Sequence, residues 1–114
     1  DARGHFYTVG TINGATIRFM VDTGATAVGI GKSDAVRANV DYLKGQLGVV
    51  RTANGEMQVW RVMLNSVRVG DVVLNQVEAM VSEHNQPVAV LGMSFLNRME
   101  MTREGPTMTL KKRY

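Results

Sequence analysis

The sequence has no cysteine, two prolines and few aromatic residues. Without cysteine, the chain can form no disulfide framework, no thiolate zinc site and no cysteine nucleophile. It also lacks any apolar run near the length of about 18 residues that a membrane-spanning helix requires. Aromatic residues make up 6% of its 114 residues and do not interleave with basic ones. This pattern disfavours an oligonucleotide-binding barrel and excludes nucleic acid as an expected partner.

Charge of one sign is not in large excess. Lysine and arginine number 13 against 10 aspartates and glutamates, and the short run Lys111-Lys112-Arg113 accounts for the difference. His5 and His84 are far apart, and no group of Asp, Glu and His has the spacing of a metal site, so we expect no metal and no cofactor. The apolar content of 45% is that of a globular protein, here a single domain over residues 1–114.

Short runs rich in valine, isoleucine, threonine and methionine are separated by glycine-containing turns, which is typical of β-strands. Asn-Gly, a strong hairpin signal, occurs at Asn13-Gly14 and within Ala53-Asn54-Gly55-Glu56, and a third turn is expected at Gly70-Asp71. The predicted strands are 6–12, 15–21, 46–52, 57–64, the two arms of 65–74, 76–82 and 88–91, followed by a last hairpin of 99–103 and 107–111 turned at Gly105-Pro106.

Two short helical segments are predicted between the strands. One covers Lys32–Val40 with Ser33 as its N-cap, and the other is one or two turns within Ser94–Met99. Gly29-Ile30-Gly31-Lys32 is predicted as a turn because it lacks the spacing of a phosphate-binding loop, and Glu83–Pro87 as a loop. No strand-helix-strand alternation is present, so the predicted fold class is all-β, a barrel or a folded sandwich.

The segment most informative about function begins where the second predicted strand ends, at Asp22-Thr23-Gly24-Ala25. Asp-Thr-Gly alone is ordinary surface-turn chemistry. Here, however, the strand before Asp22 is apolar to its last residue. Placing a carboxylate at the end of such a strand costs free energy, so we expect the carboxylate to have a partner or a function. A glycine two residues later lets another backbone or a substrate come close. The pattern favours a carboxylate held rigidly at the floor of a cleft.

These residues resemble the retropepsin-like aspartic proteases, and the resemblance covers nearly the whole chain. It is carried by Val21–Thr26, by the hairpin around Asn54-Gly55, and by Val90-Leu91-Gly92 followed by a short helix. The stretch Val90–Leu96 is more similar to the cellular and bacterial branch than to the viral enzymes. The resemblance implies a closed β-barrel of the acid-protease type, with a flap hairpin and one or two short helices.

The resemblance also implies a role for each matching residue. Asp22 is the expected catalytic carboxylate, supported by Thr23 and Gly24, and Leu91 and Gly92 are expected to pack behind the active loop. Met57 and Trp60, both on the flap, are left open between substrate contact and core packing. The residues expected to bind substrate are Ala25, Thr26, Ala53, Asn54, Gly55, Glu56, Met57 and Val90.

The chain departs from the viral pattern at two positions. Viral members usually carry an aspartate at the position of Thr26 and an arginine at the position of Met93, and those two side chains pair. Both are missing here, so no single charge is left unpaired. The departure bears on the viral type of dimer contact and not on the catalytic chemistry.

A protease of this kind needs two carboxylates, and the sequence contains one Asp-Thr-Gly. The resemblance therefore implies a homodimer with Asp22 from each subunit on a C2 axis, acting on a peptide or protein substrate. We expect its activity to fall on dilution and to be highest at mildly acidic pH. The alternative is a dimerisation or peptide-binding module of the same fold with little turnover.

Cellular relatives of this kind are often tethered by an upstream membrane segment. The chain begins at Asp1 and not at methionine, so we expect it to be the soluble part of a longer protein that carries such an anchor. The corresponding location is periplasmic or membrane-tethered.

Overall fold

The computed structural model of the chain describes residues 6–53, 55–104 and 107–112. They form mainly β-strands, as predicted. The helical segments are α1 (Lys32–Arg37), a 3-10 helix (Tyr42–Lys44) and α2 (Met93–Leu96). The strands are β1 (Phe6–Ile12), β2 (Ala15–Val21), β3 (Val28–Gly31), β4 (Gln46–Thr52), β5 (Gly55–Val69), β6 (Val72–Ser82), β7 (Ala89–Leu91), β8 (Met99–Glu104) and β9 (Thr107–Lys112).

Six of these strands close into a barrel in the order β1, β2, β7, β3, β6, β5, and β5 pairs back with β1. Strand β4 pairs with the first half of β5 and extends beyond the barrel as a hairpin. Strands β8 and β9 pair in a separate two-stranded sheet. The all-β fold class, with a closed barrel, a flap hairpin and short helices, is confirmed.

Two parallel pairings position the candidate site. Strand β2 runs parallel to β7, with Val21 opposite Leu91, and β3 runs parallel to β6, with Val28 opposite Ala79. Because parallel strands end at the same edge of a sheet, the segments that follow β2 and β7 leave the barrel side by side. The turn at Asp22 is thus placed next to Gly92, 70 positions along the chain.

The barrel interior is filled by aliphatic side chains and two phenylalanines. Residues on the inner face recur at every second position of a strand, as for Ile17, Phe19 and Val21 on β2. The larger side chains buried completely are Ile12, Ile17, Phe19, Val28, Ile30, Leu64, Val67, Leu74, Leu91, Phe95, Leu96 and Met99.

The long pair β5–β6 bends in its middle and changes which face is buried. On β5, the buried residues Leu64 and Val67 are three positions apart. In a regular strand, residues on one face are an even number of positions apart, so the buried face changes between them. On β6, Gln76 adopts a left-handed backbone conformation with φ of 54°. The Arg98 guanidinium donates to the Gln76 carbonyl at 3.2 Å and stabilises this bend. The two parts of this strand pair, on either side of the bend, therefore bury opposite faces in the barrel wall.

The β1–β2 turn also holds two distant elements. Asn13 and Gly14 both have positive φ, 51° and 86°, the conformation that matches the twist of a hairpin. The Asn13 side chain accepts from the Ser66 N–H at 3.2 Å and donates to the Ala38 carbonyl at 2.9 Å. The turn thereby ties β5 and the end of α1 to the barrel.

The prediction for α1 was correct at its first residue, Lys32, and wrong at its N-cap and its last residue. Gly31 is the N-cap, and Ser33 lies inside the helix, where its backbone N–H donates to the Asn85 side chain at 2.9 Å. The helix ends at Arg37 and not at Val40, because Asn39 takes a left-handed conformation with φ of 58°. The predicted helical turns within Ser94–Met99 are present but shorter and shifted, since Met99 begins β8.

The prediction of a turn at Gly29–Lys32 was also wrong. Gly29, Ile30 and Gly31 belong to β3, which lies between β6 and β7. Pairing with two neighbouring strands, together with full burial of Ile30, overrides the local preference of two glycines for a turn.

The second Asn-Gly hairpin is confirmed, with a tighter connection than predicted. Thr52 pairs with Gly55, so Gly55 and Glu56 belong to strand β5. Asn54 and the predicted turn at Gly105-Pro106 lie outside the described residues. Among the helices that the structure does describe, none has the length and apolar character to cross a membrane.

Replacing Asn13 should destabilise the fold more than replacing an asparagine that only adopts the same backbone conformation. Asn13→Ala removes two side-chain hydrogen bonds as well as a residue suited to positive φ, so we expect the free energy of unfolding to fall by about 2–3 kcal/mol. Asn39→Ala, at an exposed position with φ of 58°, should cost about 1 kcal/mol. Urea denaturation followed by circular dichroism measures both, and equal losses would contradict the role of the Asn13 side chain.

Candidate active site

Asp22 lies immediately beyond the last residue of β2, at the edge of the barrel. Its backbone N–H donates to the Leu91 carbonyl at 3.1 Å, which continues the parallel β2–β7 pairing by one residue. The Asp22 side chain is half-buried. The position of the carboxylate is therefore set by two adjacent strands and not by a free surface loop.

The turn after Asp22 holds the carboxylate in one orientation. The Gly24 N–H donates to Asp22 Oδ1 at 2.9 Å, and the Ala25 N–H donates to the Asp22 carbonyl at 3.2 Å. A side-chain oxygen that accepts from the backbone two residues later is a common way for aspartate to fix a turn. Among the residues that the structure describes, no cation lies within ion-pair distance of Asp22.

A second segment, residues 91–94, lies against this loop and bonds to it along its length. The Met93 N–H donates to the Ala25 carbonyl at 2.8 Å, and the Ser94 N–H donates to the Thr26 carbonyl at 2.9 Å. These contacts join the segments that contain Thr26 and Met93, the two positions at which the sequence departs from the viral pattern. Here backbone hydrogen bonds connect the same two segments.

Gly92 allows the close approach of the two segments. A Cβ atom at this position would lie 2.2 Å from the Ala27 carbonyl oxygen and 3.0 Å from that of Ala25. Neither oxygen can move away without disturbing the active loop. Leu91 and Gly92 are both buried behind the loop.

Ser94 is a residue that the sequence analysis did not select. Its hydroxyl accepts from the Val28 N–H at 3.0 Å and donates to the Glu78 carbonyl at 2.7 Å. It thus links the end of the active loop to β6. The sequence offers little signal for this role, because a serine outside a nucleophile–base pattern has many uses.

The structure places the remaining predicted residues in two groups. On the active loop, Thr23, Gly24 and Thr26 are exposed and Ala25 is half-buried, and the nearby Val90 on β7 is half-buried. The Thr23 hydroxyl makes no hydrogen bond to any part of the chain that the structure describes.

The second group lies at the tip of the β4–β5 hairpin. Ala53, Gly55 and Glu56 are exposed there, and Met57 is half-buried. Trp60 lies nearer the barrel, where its ring packs edge-on against Tyr42 with centroids 5.1 Å apart.

The barrel side of this hairpin exposes apolar side chains near the barrel and polar ones toward the tip. Leu47 lies opposite Trp60, and Trp60 lies opposite the buried Val81, so all three share the face that continues into the barrel interior. Leu47 is 55% exposed and Val49, two residues on, is 59% exposed. Met57 lies on the opposite face, because side chains alternate along a strand. No group of three or more potential metal ligands occurs within residues 6–53, 55–104 and 107–112.

Comparison with protein families identifies this arrangement. Residues 8–98 match the family model described as "gag-polyprotein putative aspartyl protease". The chain belongs to the retropepsin-like aspartic protease family. The match includes both segments of the site, the turn at Asp22 and the segment from Leu91 to Ser94.

Two curated bacterial proteins are similar to the chain in sequence. The uncharacterized protein RP867 of Rickettsia prowazekii (strain Madrid E) is 39% identical over 100 residues, which cover 85% of this chain and 42% of that protein. An uncharacterized protein in the cobV 5' region of a Sinorhizobium species is 36% identical over 100 residues, 86% of this chain and 43% of that protein. The chain therefore spans less than half the length of the curated relatives it matches.

Solved structures agree with the family assignment. A retropepsin-like aspartic protease from Rickettsia conorii superposes with a TM-score of 0.80 at 32% identity, covering 96% of this chain and 84% of that one. The retroviral protease-like domain of Ddi1 from Leishmania major gives a TM-score of 0.68 at 21% identity, covering 93% and 87%. The second likeness concerns the fold alone.

A methyl group at residue 92 should disrupt the site. Gly92→Ala forces the active loop and the segment behind it apart, so we expect the free energy of unfolding to fall by about 3 kcal/mol. Gly29→Ala is the matched control, because its Cβ would meet Val90 at an ordinary 3.6 Å and should change stability by less than about 1 kcal/mol. Urea denaturation measures both, and a Gly92→Ala protein as stable as Gly29→Ala would show that the two segments are not closely packed.

Proposed function

We propose that the chain is an aspartic endopeptidase whose active site is completed by a second copy of itself. Each subunit supplies one Asp22, and the two carboxylates activate a water molecule to hydrolyse a peptide bond. The single observation that carries this proposal is the setting of Asp22, whose Oδ1 is held by the Gly24 N–H while no cation of the described residues neutralises it. Such a carboxylate is oriented and still available to a partner.

The chemistry requires the partner to be another carboxylate. Two carboxylates about 3 Å apart cannot both ionise, so they share one proton, an expectation taken from aspartic proteases in general. One then acts as the base toward water while the other donates a hydrogen bond to the scissile carbonyl. Because the chain has one Asp-Thr-Gly, a C2 dimer with the pair on its axis is the simplest way to supply both.

The exposed active loop supports this assembly. Thr23 and Thr26 are exposed on the same loop as Asp22, and we assign Thr23 to the contact with the matching loop of the second subunit. The backbone of Gly24 and Ala25 forms the floor beneath the substrate. The upstream membrane anchor and the periplasmic or membrane-tethered location stay predictions.

The substrate is an extended peptide that lies as a strand between the floor and the β4–β5 flap. Leu47 and Val49 are exposed on the barrel side of this hairpin, where they would meet substrate side chains. Apolar surface of this kind favours apolar residues next to the scissile bond. The tip residues, Ala53–Met57, close over the peptide.

Replacing the carboxylate should abolish cleavage without unfolding the protein. Asp22→Asn keeps an oxygen for the Gly24 N–H but cannot share a proton, so we expect the cleavage rate of a denatured protein substrate to fall by between about 100- and 10,000-fold. Asp71→Asn, in an exposed turn, is the matched control and should cleave like the wild type. Mass spectrometry of the products measures both.

An Asp22→Asn variant that cleaves like the wild type would contradict the mechanism. A stable wild-type dimer without turnover at any pH from mildly acidic to neutral would instead favour a peptide-binding module of this fold.

The dimer requirement predicts a concentration dependence. Specific activity at mildly acidic pH should fall when the protein is diluted below the dimer dissociation constant, because monomers carry half a site. Adding an excess of Asp22→Asn protein should inhibit the wild type by forming mixed dimers, whereas adding Asp71→Asn protein should not. Constant specific activity over a wide dilution range, together with no inhibition by the Asp22→Asn protein, would show that one chain suffices.

A further inference from the structure

The parallel pair β3–β6 ends in an unusual way beside the active loop. Val28 is the first residue of β3 and lies opposite Ala79, so its N–H faces the carbonyl of the preceding residue, Glu78, across the end of the ladder. The Ser94 hydroxyl lies between these two groups, accepting from Val28 at 3.0 Å and donating to Glu78 at 2.7 Å. A hydroxyl can fill this place because it is both donor and acceptor.

The same serine is bonded to the active loop through its backbone. Its N–H donates to the Thr26 carbonyl at 2.9 Å, and that of Met93 donates to the Ala25 carbonyl at 2.8 Å. The loop therefore has a bonded connection to α2 at Ala25 and Thr26, and Ser94 extends this connection through its side chain to β6. Residues 25–28 are thus fixed between α2 and β6.

We infer that Ser94 is a positioning residue for the proposed Asp22 chemistry, acting through the backbone of residues 25–28 and not by touching substrate. The orientation of the Asp22 carboxylate depends on the Gly24 N–H, and Gly24 is one residue from the segment that Ser94 holds. Without the hydroxyl, Val28 N–H and Glu78 C=O lose their partner, and the groups must separate or admit water. A carboxylate displaced in this way would meet the Asp22 carboxylate of the second subunit in the wrong geometry for catalysis.

The inference rests on the proposed function, so its test includes a measurement that does not need activity. Ser94→Thr keeps the hydroxyl, and Ser94→Val introduces a side chain of nearly the same shape as threonine but without the hydroxyl. Ser82→Val is the matched control, since the Ser82 hydroxyl also donates to a backbone carbonyl, that of His84 at 2.8 Å, at the other end of β3 from Val28. All three variants are made in the full chain, and each is assayed under conditions in which it is folded and dimeric.

We expect Ser94→Val to lower kcat by between about 10- and 100-fold with little change in KM, while Ser94→Thr and Ser82→Val retain most of the wild-type kcat. Amide hydrogen exchange should quicken at both Val28 and Gly24 in Ser94→Val but at neither residue in Ser82→Val. If Ser94→Val does not fold, Ser94→Ala provides the same comparison.

Equal kcat in Ser94→Val and Ser94→Thr would overturn the inference. Amide hydrogen exchange in Ser94→Val that is faster at Val28 but unchanged at Gly24 would also overturn it. A wild-type protein that cleaves no substrate would contradict the proposed function and leave the exchange measurement to decide the role of Ser94.

Discussion

The contact between the turn at Asp22 and the segment at Gly92 is the constraint on which the rest of the site depends. The parallel pairing of β2 with β7 brings the two segments out of the barrel together. They can pack closely because Gly92 has no side chain: a Cβ atom at residue 92 would lie only 2.2 Å from the Ala27 carbonyl oxygen. Backbone hydrogen bonds then fix the loop. The orientation of the carboxylate is set by main-chain groups, and those groups can take their places only because Gly92 has no side chain.

In the proposed dimer, each subunit supplies half of the active site. The barrel uses its interior for stability and leaves the active loop exposed at an edge, with Thr23 and Thr26 facing outward. A second copy related by a twofold axis would cover this edge and bring the two carboxylates together. In that assembly, catalysis and association would depend on the same few residues, and Asp22 would find its partner in the second subunit.

Much of the fold and part of the site could be predicted from the sequence. The hairpin at Asn13-Gly14 is encoded locally, because its turn residues adopt positive φ, and the apolar strand before Asp22 signals a carboxylate beside the core. Strand β3 could not be recognised, because Gly29 and Gly31 are typical of a turn and the strand forms only through its pairing with β6 and β7. Ser94 was missed for the same reason, because its hydroxyl bridges β3 and β6 and has no evident role unless that pairing is known.

The separation between the two Asp22 carboxylates in a crystal structure of the assembled protein tests the account most directly. We predict oxygen atoms about 3 Å apart across a twofold axis, with each Oδ1 still accepting from its own Gly24 N–H. An Asp22 that faces bulk solvent, far from any other carboxylate in every assembly the protein forms, would contradict it.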